Sequence, residues 1–338
     1  MSDPIQNPVK KIGVLGAGAW GSALACVAAR AGCEVTLWAH KQELAEIIGL
    51  THTNPDYLPG VDLDQNIHAT HDIEQAIDAD AVLIVTPAQA MRDVTKDLAD
   101  VWKPGVPAIL CSKGIERDTL KFMNEVCAET LPQAPVAVLS GPTFAGEVAR
   151  GLPAAATLAT EDAALQETLC DALSTSHFRL YRSADVIGSE IGGVVKNVLA
   201  IACGIADGRG LGDNARAALI TRGLAEIIRL GLAMGGIRET FRGLSGIGDL
   251  TLTCNALQSR NFSLGVALGK GESLQDILNS RIIVAEGVFS AAALCKLAEQ
   301  KNIDMPICKA TDQILNEGAD INATISELLA RPTTSEHL

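Results

Sequence analysis

Aromatic side chains are scarce in this chain: three tryptophans, two tyrosines and six phenylalanines make up 3% of 338 residues, while 48% of the residues are hydrophobic. The core is therefore aliphatic and alanine-rich. Basic charge is also short, with 27 lysines and arginines against 40 acids and a formal net charge of −13. No basic stripe is visible, which argues against a nucleic-acid partner, and the acidic excess is most simply a solubility feature. Nine cysteines are present without a Cys-x-x-Cys pair. That odd, scattered set favours free buried thiols in a reducing compartment over a disulfide frame or a zinc site, and no metal is expected. No later segment reads as long and apolar enough to cross a membrane, so the expectation is a cytoplasmic protein without membrane insertion. A chain of this length exceeds one ordinary core, and two domains are the starting expectation.

What is present is organised around Lys11–Ala31, KIGVLGAGAWGSALACVAARA. A short apolar run, Ile12–Leu15, is followed by Gly16-Ala17-Gly18-Ala19-Trp20-Gly21 and then by a small-residue segment of helical character. Strand, tight turn and helix in that order make a dinucleotide loop: Gly16 forms the turn, Gly18 lets backbone approach a pyrophosphate, and Gly21 lets helix and strand pack closely. Amides at the helix start then face an anion. Two lysines before an uncharged run also suit a targeting segment. The run holds four glycines and a tryptophan, however, and it ends on Arg30. Gly32-Cys33-Glu34 then opens a second strand-like run, Val35–Trp38, as a βαβ unit requires.

After that strand, where NAD-selective proteins carry an acid for the ribose 2′-hydroxyl, stand Ala39-His40-Lys41. A histidine and a lysine tolerate or favour a 2′-phosphate, so NADPH is at least as good a candidate as NADH; the alternative is an exposed polar loop. Thr51–Asp64 reads as a loop and Ile73–Asp78 as a helix. Apolar runs at 81–85, 108–111 and 136–139 read as strands buried on both faces of a parallel sheet, with a charged amphipathic segment over Asp118–Glu129. Two further runs, Ala154–Ala159 and Phe178–Tyr181, flank a helix around Asp162–Leu173 and extend the sheet. The fold class is thus α/β: an N-terminal Rossmann-type doubly wound sheet over residues 9–187, then an all-α domain over 188–332, with the boundary near Asp185–Gly188. Ligands lie beyond the carboxyl ends of such strands. There the chain places Ser112-Lys113-Gly114 and Ser140-Gly141-Pro142-Thr143-Phe144-Ala145-Gly146-Glu147. Lys113 can bind an anionic or carbonyl oxygen, or be a surface lysine beside a turn glycine.

The helical half opens with Ile191–Ala202, apolar except for Lys196 and Asn197. Gly192 and Ala200 lie on the face of Lys196, one turn to each side, and leave space above it for a ring or a substrate. A buried lysine needs a partner, and burial lowers its pKa toward the range useful for proton transfer; the alternative is a lysine that snorkels to solvent. Gly204–Gly212 breaks this helix, and Asn214 caps a second one, Ala215–Leu232. In Gly246-Ile247-Gly248-Asp249-Leu250-Thr251-Leu252-Thr253, Asp249 and Thr253 share a helical face, and Asp249 is the acid to pair with Lys196, with a helix N-cap as its other reading. Ser259-Arg260-Asn261 offers a planar guanidinium for phosphate beside helix-start amides. Glu286 stands in an otherwise apolar stretch, and the tail beyond Arg331 reads as disordered.

Together GAGAWG, SKG at 112–114, LSGPTFA at 139–145, GGVVKNVLAIACG at 192–204, NARAALITRGLAE at 214–226, GIGDLTLTC at 246–254 and SRN at 259–261 resemble the bacterial NAD(P)-dependent sn-glycerol-3-phosphate dehydrogenases. The resemblance runs from about Lys11 to Pro306. It implies reduction of dihydroxyacetone phosphate to sn-glycerol 3-phosphate for phospholipid synthesis, with NADP or NAD as cofactor. The alanine-rich helices of the second half suit a dimer interface as readily as a core, and a homodimer is the assembly expected. By motif match, Lys196 is the proton-transfer residue, aided by Lys113 and Asp249. The triose phosphate is lined by Lys113, Gly141, Thr143, Lys196, Asn197, Asp249, Thr253, Ser259, Arg260 and Asn261. The cofactor is contacted by Gly16, Gly18, Ala19, Trp20, Gly21, His40, Lys113, Ala145, Arg260, Val284 and Glu286. Phe262-Ser263 stand where the family commonly has basic residues, which leaves phosphate affinity resting more heavily on Arg260. Ala19, often a hydroxyl residue in relatives, offers only its amide. None of the six histidines sits in a strand-end motif suited to acid–base work, which counts against a lactate or malate type of enzyme. Two other readings stay open: a related 3-hydroxyacid dehydrogenase acting on a carboxylate, and a nucleotide-sensing regulator, although no spare module for the latter is visible.

Overall fold

The computed structural model describes residues 9–280 and 285–332. It divides into two compact units: one runs up to Ser112 and from Met123 to Val186, the other comprises Lys113–Phe122 and the chain from Ile187 onward.

The first unit is built on ten strands: β1 (Lys11–Leu15), β2 (Glu34–Trp38), β3 (Thr53–Asn54), β4 (Leu58–Asp62), β5 (Ile67–Thr70), β6 (Ala81–Ile84), β7 (Ala108–Leu110), β8 (Val136–Ser140), β9 (Ala154–Ala159) and β10 (Phe178–Ser183). Eight of them form one sheet in the order β10-β9-β8-β7-β6-β1-β2-β5. From β5 to β8 all neighbours are parallel, whereas β8 and β9 run antiparallel and β9 pairs in parallel with β10. The Ala81–Ile84 run is wholly buried, as a central strand covered on both faces must be. Strand order reverses between β1 and its two neighbours, β2 and β6. That is the switch point of a doubly wound sheet, and the glycine loop after β1 stands there.

Two readings are corrected here, and one strand is added to them. Thr51–Asp64 is not plain loop: β3 and β4 pair as a small antiparallel hairpin. Ile67–Thr70 is a strand that the sequence pattern does not reveal, since four residues with one histidine carry little apolar signal. Of the charged segment Asp118–Glu129, only the Met123–Thr130 stretch is helical. The part before it folds back through an antiparallel bridge between Ile115 and Phe122, both fully buried in the core of the second unit.

Apart from Lys113–Phe122, the regular elements described in the second unit are helices, organised around the helix Val186–Gly208, which is buried from Gly188 to Ala206 except at Ala202. By length and composition this helix can span a bilayer, contrary to expectation, but 83% of its most apolar window is buried inside the protein, which makes it a core helix. It does not break at Gly204. A Cβ on Gly204 would lie 2.1 Å from the Phe262 carbonyl, and one on Gly265 would lie 2.2 Å from the Ile201 carbonyl, so glycines here let the helix Arg260–Gly269 cross in backbone contact. The next helix is Gly212–Ala233 with Leu211 at its N-cap, and Asn214 lies within it rather than capping it. All nine cysteines are free thiols, eight of them buried.

Glu226, 1% exposed, accepts hydrogen bonds from the amides of Ile307 (2.7 Å) and Cys308 (3.1 Å) and so caps the helix Pro306–Asn316. Burial pushes its pKa up to about 7 from the usual 4.5, against the pull of those two amides. A carboxyl whose pKa is raised by folding contributes stability that is full below pH 4.5 and lost as pH rises through 7. Between about pH 5 and about pH 8 the folded chain should lose on the order of 2–3 kcal/mol from this group. Urea unfolding of the wild type and Glu226→Gln at both pH values checks this: the wild type should lose that amount relative to the variant, and a constant difference would contradict it.

Candidate active site

In the first unit the glycine loop has the geometry its sequence implies. Gly16 adopts φ +121°, and a Cβ there would meet the Val85 carbonyl at 3.0 Å; a Cβ on Gly21 would sit 1.8 Å from the Gly16 carbonyl. Nothing approaches the Cβ position of Gly18, so the loop is open at its middle glycine. The helix α1 (Ala19–Arg30) starts with Gly18 as N-cap, and no side chain caps it. Its first amides are thus left for an outside acceptor, and a pyrophosphate is the acceptor this positive helix end suits. Polar atoms of Trp20 (Nε1), Thr86 (Oγ1) and Ser140 (Oγ) are buried without a protein partner, the latter two just beyond β6 and at the end of β8. The chemistry of this edge therefore fits a dinucleotide.

His40, at the end of β2, stands edge-on to Trp38 at 5.9 Å, and Lys41 is the N-cap of α2 (Gln42–Thr51). After β8 the chain turns through Gly141, whose Cβ position lies 2.8 Å from Cα of Ala156. Thr143 donates its hydroxyl to the Gly141 carbonyl (3.3 Å), and Ala145 begins the helix Ala145–Ala149.

The second unit holds the titratable cluster. Lys196 is 7% exposed and Asp249 1%. Lys196 Nζ donates to Asp249 Oδ1 (2.7 Å) and to Thr253 Oγ1 (2.8 Å), and Thr253 donates in turn to Asp249 Oδ1 (3.2 Å). Lys113 donates to the other carboxylate oxygen, Oδ2, at 2.7 Å. One carboxylate thus bridges two ammonium groups. Burial pulls Lys196 down to about 8 from 10.5, helped by the neighbouring Lys113 charge and opposed by Asp249. Burial alone would raise Asp249, but Lys113 and Lys196 together hold it below the usual carboxylate range.

The helix face around Lys196 differs from its sequence reading. Gly192 does not leave space for a ring: a Cβ there would lie 2.1 Å from the Ser245 carbonyl, so the π-helical turn Leu244–Gly248 packs directly on the helix. That contact delivers the helix Asp249–Asn255 to Lys196, which places Asp249 and Thr253 around Nζ.

A chain of amides runs beside this cluster. Asn197 Nδ2 donates to the Lys113 carbonyl (3.4 Å), Asn261 Nδ2 donates to Asn197 Oδ1 (3.0 Å), and the Gly287 amide donates to Asn261 Oδ1 (3.0 Å). Gly287 carries no sequence signal beyond its small size next to Glu286. Ser259 caps the helix Arg260–Gly269 by accepting from the Phe262 amide (3.2 Å). The exposed Arg260 has Glu286 as its charged neighbour. Val284 and residues past 332 lie outside the described residues.

Residues 11–166 match the family described as NAD-dependent glycerol-3-phosphate dehydrogenase N-terminus, and residues 185–326 match its C-terminus. A glycerol-3-phosphate dehydrogenase (NAD(P)+) of Rhodospirillum rubrum is 55% identical, over 97% of this chain and 94% of that one. The protein of that name from Parvibaculum lavamentivorans is 54% identical, over 97% and 98%. The crystal structure of glycerol-3-phosphate dehydrogenase from Coxiella burnetii superposes with a TM-score of 0.92 at 38% identity, covering 96% of this chain and 99% of that one.

Removing Asp249 leaves two ammonium groups uncompensated in a buried place. Asp249→Ala should lower the unfolding free energy by about 3–5 kcal/mol at neutral pH, as for other buried pairs broken on one side. A urea melt that shows less than about 1 kcal/mol, the worth of an exposed ion pair, would contradict the bridging role.

Proposed function

This chain is a member of the NAD-dependent glycerol-3-phosphate dehydrogenase family, and on that premise we propose that it reduces dihydroxyacetone phosphate to sn-glycerol 3-phosphate, reversibly, with Lys196 as the proton donor. The cofactor is NAD or NADP. The observation that carries the residue assignment is the Lys113–Asp249–Lys196 bridge.

When bound, the reduced nicotinamide supplies a hydride to the ketone carbon. As the carbonyl π bond breaks, its electron pair moves to oxygen, and Lys196 Nζ gives that oxygen a proton. Asp249 keeps the lysine charged enough to hold the proton and fixed enough to aim it, while burial makes release easy. Lys113 adds a second positive charge toward an oxygen that turns anionic, an arrangement whose value grows in a dry site. Arg260, with Ser259 and Asn261, takes the phosphate, and a guanidinium holds phosphate in two places where an ammonium holds one. The relatives found carry the glycerol-3-phosphate name rather than that of a 3-hydroxyacid enzyme, which supports a phosphate over a carboxylate substrate.

A homodimer and a cytoplasmic location belong to the same proposal. Exposed Ala217, Ala218, Leu232 and Ile237 on and after the helix Gly212–Ala233 support the first, and the nine free thiols support the second.

Because Lys196 must carry a proton to reduce and lack one to oxidise, the two directions should respond oppositely to pH. Single-turnover reduction should fall as pH rises through about 8, and oxidation should rise over the same range. Lys196→Ala should lose roughly 10²–10⁴ in that step, with a smaller change in substrate KM. Intact single-turnover transfer with only weakened binding would remove the acid role. Arg260→Ala should lower kcat/KM for dihydroxyacetone phosphate by about 10²-fold or more but leave unphosphorylated dihydroxyacetone nearly unchanged. Undiminished preference for the phosphorylated ketone would place the phosphate elsewhere.

A further inference from the structure

The small hairpin of β3 and β4 carries a polar side chain that no part of the reaction scheme uses. Asn54, in β3, is 0% exposed. Its Nδ2 donates to the Ala17 carbonyl (2.8 Å) and to Ser22 Oγ (2.8 Å), and its Oδ1 accepts from the Tyr57 amide (3.3 Å). Ala17 is the middle of the Gly16-Ala17-Gly18 turn, and Ser22, also fully buried, is on the first turn of α1. We propose that Asn54 is a positioning residue for the dinucleotide: it sets the direction of the glycine-loop amides that receive the pyrophosphate. The proposal rests on the reading that this loop holds the dinucleotide.

Peptide geometry sets the direction of the Gly18 amide. The Ala17 carbonyl and the Gly18 N–H belong to one planar peptide, no peptide in the described chain is cis, and in a trans peptide these two groups point in opposite directions. Asn54 holds the carbonyl inward, so the Gly18 N–H is turned away from Asn54, toward the open side of the loop, where no protein atom would meet a Cβ on Gly18. The second Nδ2 hydrogen goes to Ser22, which ties the loop to the helix whose first amides complete the anion site. Two donors on one nitrogen and an acceptor on the neighbouring oxygen are what the three partners require, and only a carboxamide supplies both. The clamp is itself held. His52 ends α2 in the left-handed region, the Leu63 amide donates to the His52 carbonyl (2.7 Å), and Leu58 and Val61 of β4 are buried in the core that also contains Leu24 and Val27 of α1. Asn54 therefore reaches the loop from a rigid support rather than a free strand.

Asparagine is not interchangeable here with its acid. The substitution Asn54→Asp keeps the size and the Tyr57 contact, but it sets a carboxylate oxygen against the Ala17 carbonyl.

The test is a fluorescence titration of the full chain with NADPH, together with steady-state constants for both substrates, on wild type, Asn54→Asp, Asn54→Ala and Ser22→Ala. Asn54→Asp should weaken NADPH binding about ten-fold or more and Asn54→Ala slightly less, with Ser22→Ala, which spares the Ala17 contact, within about three-fold. KM for dihydroxyacetone phosphate at saturating NADPH should change less than about two-fold, and kcat less than about three-fold, since saturation restores the bound loop. Ile48→Ala, a cavity in the same core, should lower Tm without this loss of NADPH affinity. Wild-type affinity in Asn54→Asp, or an equal loss in Ile48→Ala, would overturn the proposal. Should Asn54→Asp fail to fold, Asn54→Ala at a temperature well below its Tm carries the same decision. A wild type that binds no dinucleotide would instead overturn the reading of the loop itself.

Discussion

A single carboxylate shared by two lysines is the interaction on which the proposed chemistry depends. Asp249 is 1% exposed and accepts from Lys113 on one oxygen and Lys196 on the other, each at 2.7 Å. An isolated ammonium as deeply buried as Lys196 would cost several kcal/mol and would shed its proton well below neutral pH. An ammonium in full contact with water would hold its proton far too tightly to give it up. The bridge sets Lys196 between those limits, and it leaves one net positive charge on the cluster, which in the proposed reaction meets an oxygen that becomes negative.

That bridge is costly to assemble, and the fold assembles it with backbone. Gly192 has no side chain so that the π-helical turn Leu244–Gly248 can lie on the long core helix, and that turn hands Asp249 to Lys196. Gly204 and Gly265 serve the neighbouring crossing in the same way. Helices that meet through glycine leave little freedom to slide, so donor and acceptor positions are fixed before a substrate arrives. The amide chain from the Lys113 carbonyl through Asn197 and Asn261 to Gly287 fixes the other side. In the first unit, glycine at 16 and 21 and the carboxamide of Asn54 do comparable work for the loop after β1.

Much of this is legible in the sequence, and the exceptions have physical reasons. Apolar runs separated by helical segments point to a doubly wound sheet because strands buried on both faces read as continuous hydrophobic stretches. The Asp249–Thr253 spacing and the isolated ammonium at 196 mark the cluster because local helical geometry alone brings such residues to one face. What is not legible depends on distant partners. β5 is four residues long, and β3 is two; neither carries a pattern that exceeds chance. Asn54 looks like loop polarity until Ala17 and Ser22, 37 and 32 residues away, are seen against it. The face of Gly192 reads as open space because its cover, Ser245, lies far along the chain. Lys113 through Phe122 joins the second unit through Ile115 and Phe122, a pairing that only tertiary structure shows.

The ionisation of Lys196 in the folded protein is the quantity that most directly tests the account. Titration of its ε-amino group by NMR, in protein labelled at lysine Cε and Nζ and assigned by comparison with Lys196→Arg, should give a midpoint near 8. In Asp249→Asn, where the attracting charge is gone, the midpoint should move lower. A Lys196 that titrates near its ordinary 10.5, indifferent to Asp249, would contradict the claim that burial and one shared carboxylate tune this lysine for proton transfer.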